Sequence, residues 1–302
     1  MVSVILPTYN HASYLKQRIE SILNQTYQDF ELIILDDCSP DNSRDIIELY
    51  QKNPHISHIV YNETNSGSTF KQWKKGFRLA KGDYIWIAES DDYAEPTFLE
   101  KVMESNLKYN SVYCFALTKM IDKENNILSC QPPILPDYAM NINQFTKDYL
   151  LYSNLICNAS MIVFRKDALD ENVWDEITNY KYSGDWLLWS SFCGGINATV
   201  SEVKEYLNYF RRHNQNVSGK SEINGLGILE GYRVSESIVK RLHLKPDKTY
   251  SLNWYYKWQT FKLEFAYTQS INKKILLMFI KKRPRVAYYE LKRLFFRLIQ
   301  RI

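Results

Sequence analysis

The segment Asp83-Tyr84-Ile85-Trp86-Ile87-Ala88-Glu89-Ser90-Asp91-Asp92-Tyr93 decides how this chain is read. Residues 84–88 form an almost unbroken apolar run with β-branched and aromatic members, framed by Gly82-Asp83 in front and polar residues behind. Such a run predicts a strand buried on both faces. Glu89, Asp91 and Asp92 then arrive where that strand leaves its sheet. Two carboxylates ~4 Å apart repel by about 4 kcal/mol at an effective dielectric of roughly 20. A cation relieves that crowding, and hard oxygen ligands suit Mg²⁺ or Mn²⁺. In open α/β sheets, ligands sit in the crevice beyond the carboxyl ends of the strands. A solvated acidic turn capping the next helix is the competing reading, and the rest of the chain decides against it.

Working outward, Val2–Leu6 reads as a buried strand ended by Pro7-Thr8-Tyr9-Asn10. Leu15, Ile19, Ile22 and Leu23 give the spacing of an amphipathic helix. Phe30–Leu35 is a second apolar strand, again finishing in acids, Asp36 and Asp37, and a helix capped by Asp41 or Asn42 follows to about Tyr50. Ile56–Tyr61 is a third strand, followed by Asn62-Glu63-Thr64-Asn65-Ser66-Gly67 and a helix marked by Phe70, Trp73, Phe77 and Ala80. Four strand–helix alternations predict an α/β fold with a mostly parallel sheet, its polar and acidic strand ends gathered on one lip.

Beyond about residue 106 the rhythm changes. Val112–Ile121 and Ile127–Cys130 predict a hairpin. A helix near 143–152 and a strand over Ser160–Phe164 follow. Ser183-Gly184-Asp185 precedes Trp186-Leu187-Leu188-Trp189, which puts Asp185 at a helix N-terminus. Residues 204–210 read as a strand running into Arg211-Arg212-His213, and the remainder is helical and aromatic-rich. The expected organisation is a first half over 1–105, a second half over 106–222 and a helical extension over 223–302.

The 302 residues, 45% apolar and 24% charged, describe an ordinary globular protein. A net charge of +4 hides an asymmetry: residues 273–302 hold ten Lys/Arg against the single acid Glu290, leaving an acidic body. That balance argues against nucleic acid as a partner of the whole surface. Cys38, Cys114, Cys130, Cys157 and Cys193 are odd in number and widely spaced, which predicts reduced thiols in a cytoplasmic setting and no zinc site. Met1-Val2-Ser3 runs straight into a strand pattern, so no signal peptide is expected.

Taken together, residues 1–219 resemble a family-2 glycosyltransferase of the GT-A (Rossmann-like) fold, the bacterial type that builds surface polysaccharides. The resemblance rests on Val2-Ser3-Val4-Ile5-Leu6-Pro7-Thr8-Tyr9-Asn10, Leu35-Asp36-Asp37-Cys38-Ser39, Asn65-Ser66-Gly67, Ala80-Lys81-Gly82-Asp83, Glu89-Ser90-Asp91-Asp92 and Gly184-Asp185-Trp186. It implies an inverting, metal-dependent transfer from a nucleoside diphosphate sugar, with uridine as the nucleoside, to a lipid-linked or growing glycan. By the same resemblance Thr8, Tyr9 and Asp37 hold the nucleoside, and Asn65 and Gly67 approach ribose or phosphate. Glu89 and Ser90 complete the donor contacts. Asp91 binds Mg²⁺ or Mn²⁺, with Asp92 and His213 in support. Asp185 matches the catalytic base, which takes the acceptor hydroxyl's proton in a single displacement. The chain departs from the pattern twice. Gln72-Trp73-Lys74 stands where many relatives have Ala-Arg-Asn, and Glu89 where many have Asp. Trp73 reads as core, and Lys71 and Lys75 as surface lysines.

Tyr288, Leu291, Phe295, Leu298 and Ile302 fall on one helical stripe flanked by Lys292, Arg293, Arg297 and Arg301. A basic amphipathic helix of this kind suits an anionic membrane surface, which implies peripheral attachment to the inner face of the plasma membrane. Packing of the stripe on the protein's own body or on another subunit is the alternative. Two other functions fit the sequence less well. A sugar nucleotidyltransferase would carry a Gly-rich, basic loop after the first strand, where this chain has Pro7-Thr8-Tyr9-Asn10-His11. A non-catalytic module that binds nucleotide sugar or glycan would have no need of Asp91, Asp92 and Asp185 together.

Overall fold

In a computed structural model, which describes residues 1–192, 197–213, 224–282 and 284–299, the first half alternates as expected. The elements run β1 (Val2–Thr8), α1 (Ala12–Leu23), β2 (Phe30–Asp36), α2 (Ser43–Glu48), β3 (Ile56–Tyr61), α3 (Thr69–Leu79) and β4 (Tyr84–Ile87). The four strands are parallel in the order β3-β2-β1-β4, with Val2 beside both Phe30 and Tyr84. The continuous apolar runs follow from burial on both faces. Val2, Val4, Leu6 and Trp86 share one core with Leu15, Ile19 and Ile22 of α1, while Ile5, on the other face, lies under Gly76 of α3. Each such aliphatic side chain contributes roughly 1.5–3 kcal/mol when fully buried.

The second half extends the same sheet. It contains β5 (Tyr93–Ala94), α4 (Phe98–Tyr109), β6 (Ser111–Ile121), β7 (Ile127–Cys130), β8 (Ala139–Asn141), α5 (Ile142–Tyr149), β9 (Ile162–Arg165), α6 (Val173–Ile177), α7 (Gly184–Ser191) and β10 (Thr199–Arg211). The order continues β4-β9-β6-β10-β5, with β9 antiparallel to both neighbours and β10 parallel to β6. The β6–β7 hairpin forms as expected. Strand β10 is longer than the expected 204–210, because register shifts after Val203 and Tyr206 break the alternation that marks a strand in sequence.

The described chain divides into two compact units, residues 1–146 with 155–213 and residues 147–154 with 214–302. The second is built from α8 (Leu226–Arg241), α9 (Lys248–Glu264), α10 (Gln269–Lys282) and α11 (Pro284–Ile299). Its core is aromatic: Tyr232 sits edge-on to Trp254 and Phe279, and Trp258 packs against Phe279. Asp247 caps α9 by accepting a hydrogen bond from Tyr250 N at 2.9 Å. Among the described residues no helix is long and apolar enough to cross a membrane, and Cys38, Cys114, Cys130 and Cys157 are free thiols. Cys193 lies outside the described residues.

Candidate active site

Register brings the acidic strand ends together. Thr8 pairs with Asp36, Asp37 N donates to Thr8 O, and Ala88 N donates to Ile5 O. The segments after β1, β2 and β4 therefore leave the sheet at the same edge. Tyr9, at this lip, is 46% exposed. Thr8 is buried, and its Oγ1 has no hydrogen-bond partner.

Asp37 is the hub of the loop beside Tyr9. Its Oδ1 accepts from Asn62 Nδ2 at 2.6 Å, Gln72 Nε2 at 2.8 Å and Ser66 N at 2.9 Å, and its Oδ2 accepts from Ser66 Oγ at 2.8 Å. Asn65 ties the same loop down by donating to Asp37 O and accepting from Gly67 N. Gly67 has a φ of +71° with open space where a Cβ would stand, so backbone conformation rather than crowding selects glycine. Lys75, expected on the surface, donates from Nζ to Asn62 Oδ1, and the exposed Lys71 donates to Ser66 O. Asp36 points elsewhere: fully buried, it pairs with Arg44 Nε at 2.9 Å.

The four residues from Glu89 to Asp92, just beyond β4, have four different environments. Half-buried Glu89 accepts from Trp73 Nε1 at 2.7 Å, so the expected core tryptophan also supports the site. Burial, then the charge of Asp91, push its carboxyl up to about 8. Ser90, expected among the donor contacts, is buried with its Oγ 2.8 Å from His11 Nδ1. Asp91 Oδ2 lies 3.0 Å from His213 Nε2. Burial raises the Asp91 carboxyl, but the His213 hydrogen bond and the nearby His11 and His213 outweigh it and hold it below the usual range. Asp92, expected to support the metal, has both oxygens taken by the fold: Oδ2 by Asn158 Nδ2 (2.6 Å) and Ser160 Oγ (2.7 Å), Oδ1 by Arg211 N (3.0 Å).

Three residues bearing on this site carried no such expectation. His11, after β1, joins Asp91 and His213 in a cluster whose ligand atoms all lie within 4.8 Å of one another. That donor set, with Asp91 buried and both histidines partly so, is drawn from three segments and fits a divalent ion. Arg211 is buried and acts as a clamp. Its Nε donates to Asp91 O at 2.8 Å, Nη1 to Asp122 O at 2.9 Å and Nη2 to Gln17 Oε1 at 2.9 Å, with the guanidinium over Tyr14. Arg18 is fully buried over the Trp86 ring, its nitrogens without hydrogen-bond partners. Burial lowers it to about 10, against the opposing pull of Asp92, Asp91 and Glu89, so it stays the cation behind the acids. Arg212, by contrast, lies over Phe210.

Asp185 occupies the first turn of α7, with Oδ1 accepting from Trp186 N at 2.7 Å. A Cβ at Gly184 would come within 2.7 Å of the Phe70 ring, so only glycine lets α7 start directly on the first turn of α3. Trp189 of α7 in turn packs against Trp73, the residue that holds Glu89. This chain of contacts ties the helix bearing Asp185 to the acidic edge.

A mixed, mostly parallel α/β sheet with acids converging on the carboxyl ends of its first strands defines the GT-A class. The chain belongs to the family described as glycosyl transferase family 2, whose family model matches residues 3–173. It is 37% identical over 115 residues to the Bacillus subtilis glycosyltransferase TuaG, whose name places it in teichuronic acid biosynthesis; that stretch covers 38% of this chain and 45% of TuaG. An uncharacterized glycosyltransferase of Methanocaldococcus jannaschii is 30% identical over 266 residues, covering 86% of this chain and 85% of its own length. The chain thus spans under half of TuaG but most of the archaeal relative. Among solved structures, Staphylococcus aureus TarS 1–349 in complex with UDP-GlcNAc superposes with a TM-score of 0.65 at 19% identity, over 87% of this chain and 73% of TarS 1–349.

Proposed function

We propose that this protein is an inverting glycosyltransferase that moves a sugar from a UDP-linked donor to a hydroxyl of a lipid-linked or growing surface glycan. The observation that carries the reading is the meeting of Tyr9, Asp37 and the Glu89–Asp92 segment at one sheet edge, with the Asp185 helix anchored to it through Phe70 and Trp73. The UDP and UDP-GlcNAc bound by TarS support the choice of donor.

In this reading the Tyr9 ring stacks on uracil, and Asp37 accepts the imide N–H that cytosine lacks. Asn65 and Gly67 shape the loop facing the ribose, and Glu89 faces the ribose hydroxyls or a water. Asp91 and His213 hold Mg²⁺ or Mn²⁺, which when bound acts as a Lewis acid on the departing diphosphate. Asp92 holds the turn that aims Asp91, and Ser90 orients His11. The Asp185 carboxylate, at a helix N-terminus that favours negative charge, takes the proton of the acceptor hydroxyl. As it does so, the acceptor oxygen bonds the anomeric carbon and the bond to the diphosphate oxygen breaks. One displacement inverts the anomeric centre.

The acceptor's lipid carrier gives the C-terminal helix a role at a membrane. Tyr288, Leu291, Phe295 and Ile299 of α11 are 59%, 60%, 61% and 51% exposed, and exposed Arg285 and Lys292 lie among them. This favours a peripheral site on the inner, anionic face of the plasma membrane, each basic residue adding about 1 kcal/mol. The side chains of Arg297 and Leu298, and residues Arg301 and Ile302, lie outside the described residues.

The test is UDP release from a panel of UDP-sugars with Mn²⁺ or Mg²⁺ present. Asp185→Asn should lower kcat at least ~100-fold, the scale of general base catalysis, with UDP affinity unchanged. Wild-type turnover in that variant removes the base assignment. UDP binding without turnover on any sugar or acceptor favours a non-catalytic module.

A further inference from the structure

We propose that His11 is a third protein ligand to the divalent ion, and that two imidazoles with one carboxylate make the site prefer Mn²⁺ to Mg²⁺. The inference rests on the reading that Asp91 and His213 hold such an ion, and adds to it a ligand and a metal preference.

Three segments distant in sequence meet at this point: the turn between β1 and α1, the end of β4 and the end of β10. Ligand atoms ~2.1 Å from an ion lie at most ~4.2 Å apart, and the three here lie within 4.8 Å of one another before any ion draws them in. His11 is set up as metal-binding histidines are, with its second nitrogen fixed by a hydrogen bond. Its Nδ1 faces Ser90 Oγ at 2.8 Å, which leaves Nε2 as the ligand nitrogen. Ser90 is itself buried, so this partner is held in place. His213 stacks on Tyr14, and the His11 ring stands edge-on to both, so aromatic surface encloses the pair. Arg211 fixes the Asp91 carbonyl and stacks on the same Tyr14, locking the third ligand to the cage.

The donor set decides the metal preference. Mg²⁺ is hard, favours oxygen and gives up water reluctantly. A first-row transition ion accepts imidazole more readily, and Mn²⁺ also suits the carboxylate and diphosphate oxygens that complete the site. One imidazole beside Asp91 leaves that choice nearly open. Two weight it toward Mn²⁺.

The experiment titrates metal-free protein with Mn²⁺ alone, following loss of the free-ion EPR signal, and measures Mg²⁺ by competition. Wild type, His11→Ala, His11→Asn, Ser90→Ala and His213→Ala are compared, with thermal melts to confirm folding. The expected result is a loss of Mn²⁺ affinity of at least tenfold in both folded His11 variants, with Mg²⁺ affinity changed less than threefold. Ser90→Ala should show a smaller loss in the same direction. If His11→Ala and His11→Asn bind Mn²⁺ within twofold of wild type while His213→Ala does not, His11 is no ligand and the Asp91–His213 site stands. If both metals weaken equally in the His11 variants, the preference claim fails. If wild type binds no Mn²⁺ at millimolar concentration, the metal reading itself fails with it.

Discussion

Replacing Asp92 by asparagine separates two roles that neighbouring acids have in this structure. The side chain is fully buried and accepts three hydrogen bonds, two at Oδ2 and one at Oδ1. An asparagine keeps the shape but must place an NH₂ against one of those donor sets. Facing Arg211 N, it leaves that N–H and its own NH₂ without acceptors; facing Asn158 and Ser160, it opposes two donors. The first orientation is cheaper, and an unpaired buried donor costs about 1–3 kcal/mol. Burial and then Asp91 push the Asp92 carboxyl up, so removing its charge offsets part of this cost. A net loss of about 2 kcal/mol, at roughly 2–4 °C per kcal/mol for a unit of this size, lowers Tm by roughly 4–8 °C. Thermal melts and Mn²⁺ titration of Asp92→Asn and Asp91→Asn check this. Asp92→Asn should melt early and keep Mn²⁺ affinity within about threefold, while Asp91→Asn should lose at least about tenfold in Mn²⁺ affinity. An Asp92→Asn variant with wild-type Tm and no Mn²⁺ uptake would show that Asp92 is a ligand and that its hydrogen bonds are incidental.

Three further outcomes are expected. Glu89 has its folded-state pKa raised to about 8, first by burial and then by Asp91, so its ionisation opposes folding increasingly as pH rises from its ordinary value of 4.5 towards 8. Glu89→Gln should therefore raise the Tm of the metal-free protein by a margin that grows over that window, and a margin independent of pH would contradict the assignment. Gly184→Ala drives a methyl into Phe70 and should cost about 1–3 kcal/mol, lowering kcat more than UDP affinity; an unchanged Tm would mean that α7 does not start on that ring. The Leu291→Ser, Phe295→Ser double variant should lose co-sedimentation with phosphatidylglycerol vesicles without a change in Tm, and wild type should ignore phosphatidylcholine. Equal binding to both lipids, or a concentration-dependent dimer broken by the same variant, would assign the face to another partner.

The sheet was legible because its strands are buried on both faces: Val2–Leu6, Phe30–Leu35 and residues 84–88 are near-continuous apolar runs, and each polar end announces itself. The second half was less so. Strand β5 is two residues long, and β10 carries Glu202, Lys204 and Glu205 through register shifts, so neither has a clean period. Arg18 shares a helix face with Leu15, Ile19 and Ile22, and nothing in the spacing says that its charge sits inside the core. His11 was invisible for a different reason. A single histidine in a polar turn has no periodic signal, and its meaning comes only from residues 79 or more positions away.

The same limit explains why the sequence placed Asp92 in support of the metal beside Asp91. Both follow one strand and both are carboxylates, so a motif reading keeps the second near the metal as well. Their fates diverge because the turn after β4 directs them to different neighbours. Asp92 lies against backbone and side chains of β10 and the segment entering β9, where donors are fixed and numerous. Asp91 lies against two imidazoles. The Asp92 carboxylate is held by three fixed donors, whereas the Asp91 carboxylate faces imidazoles, the ligand type that shares a divalent transition ion with carboxylates. Arg211 makes this difference rigid, since its backbone N–H holds Asp92 while its guanidinium holds the carbonyl of Asp91. Substituting Arg211 would therefore disturb the proposed metal site and the scaffold at once, which makes the two single acid variants, and not Arg211, the informative pair.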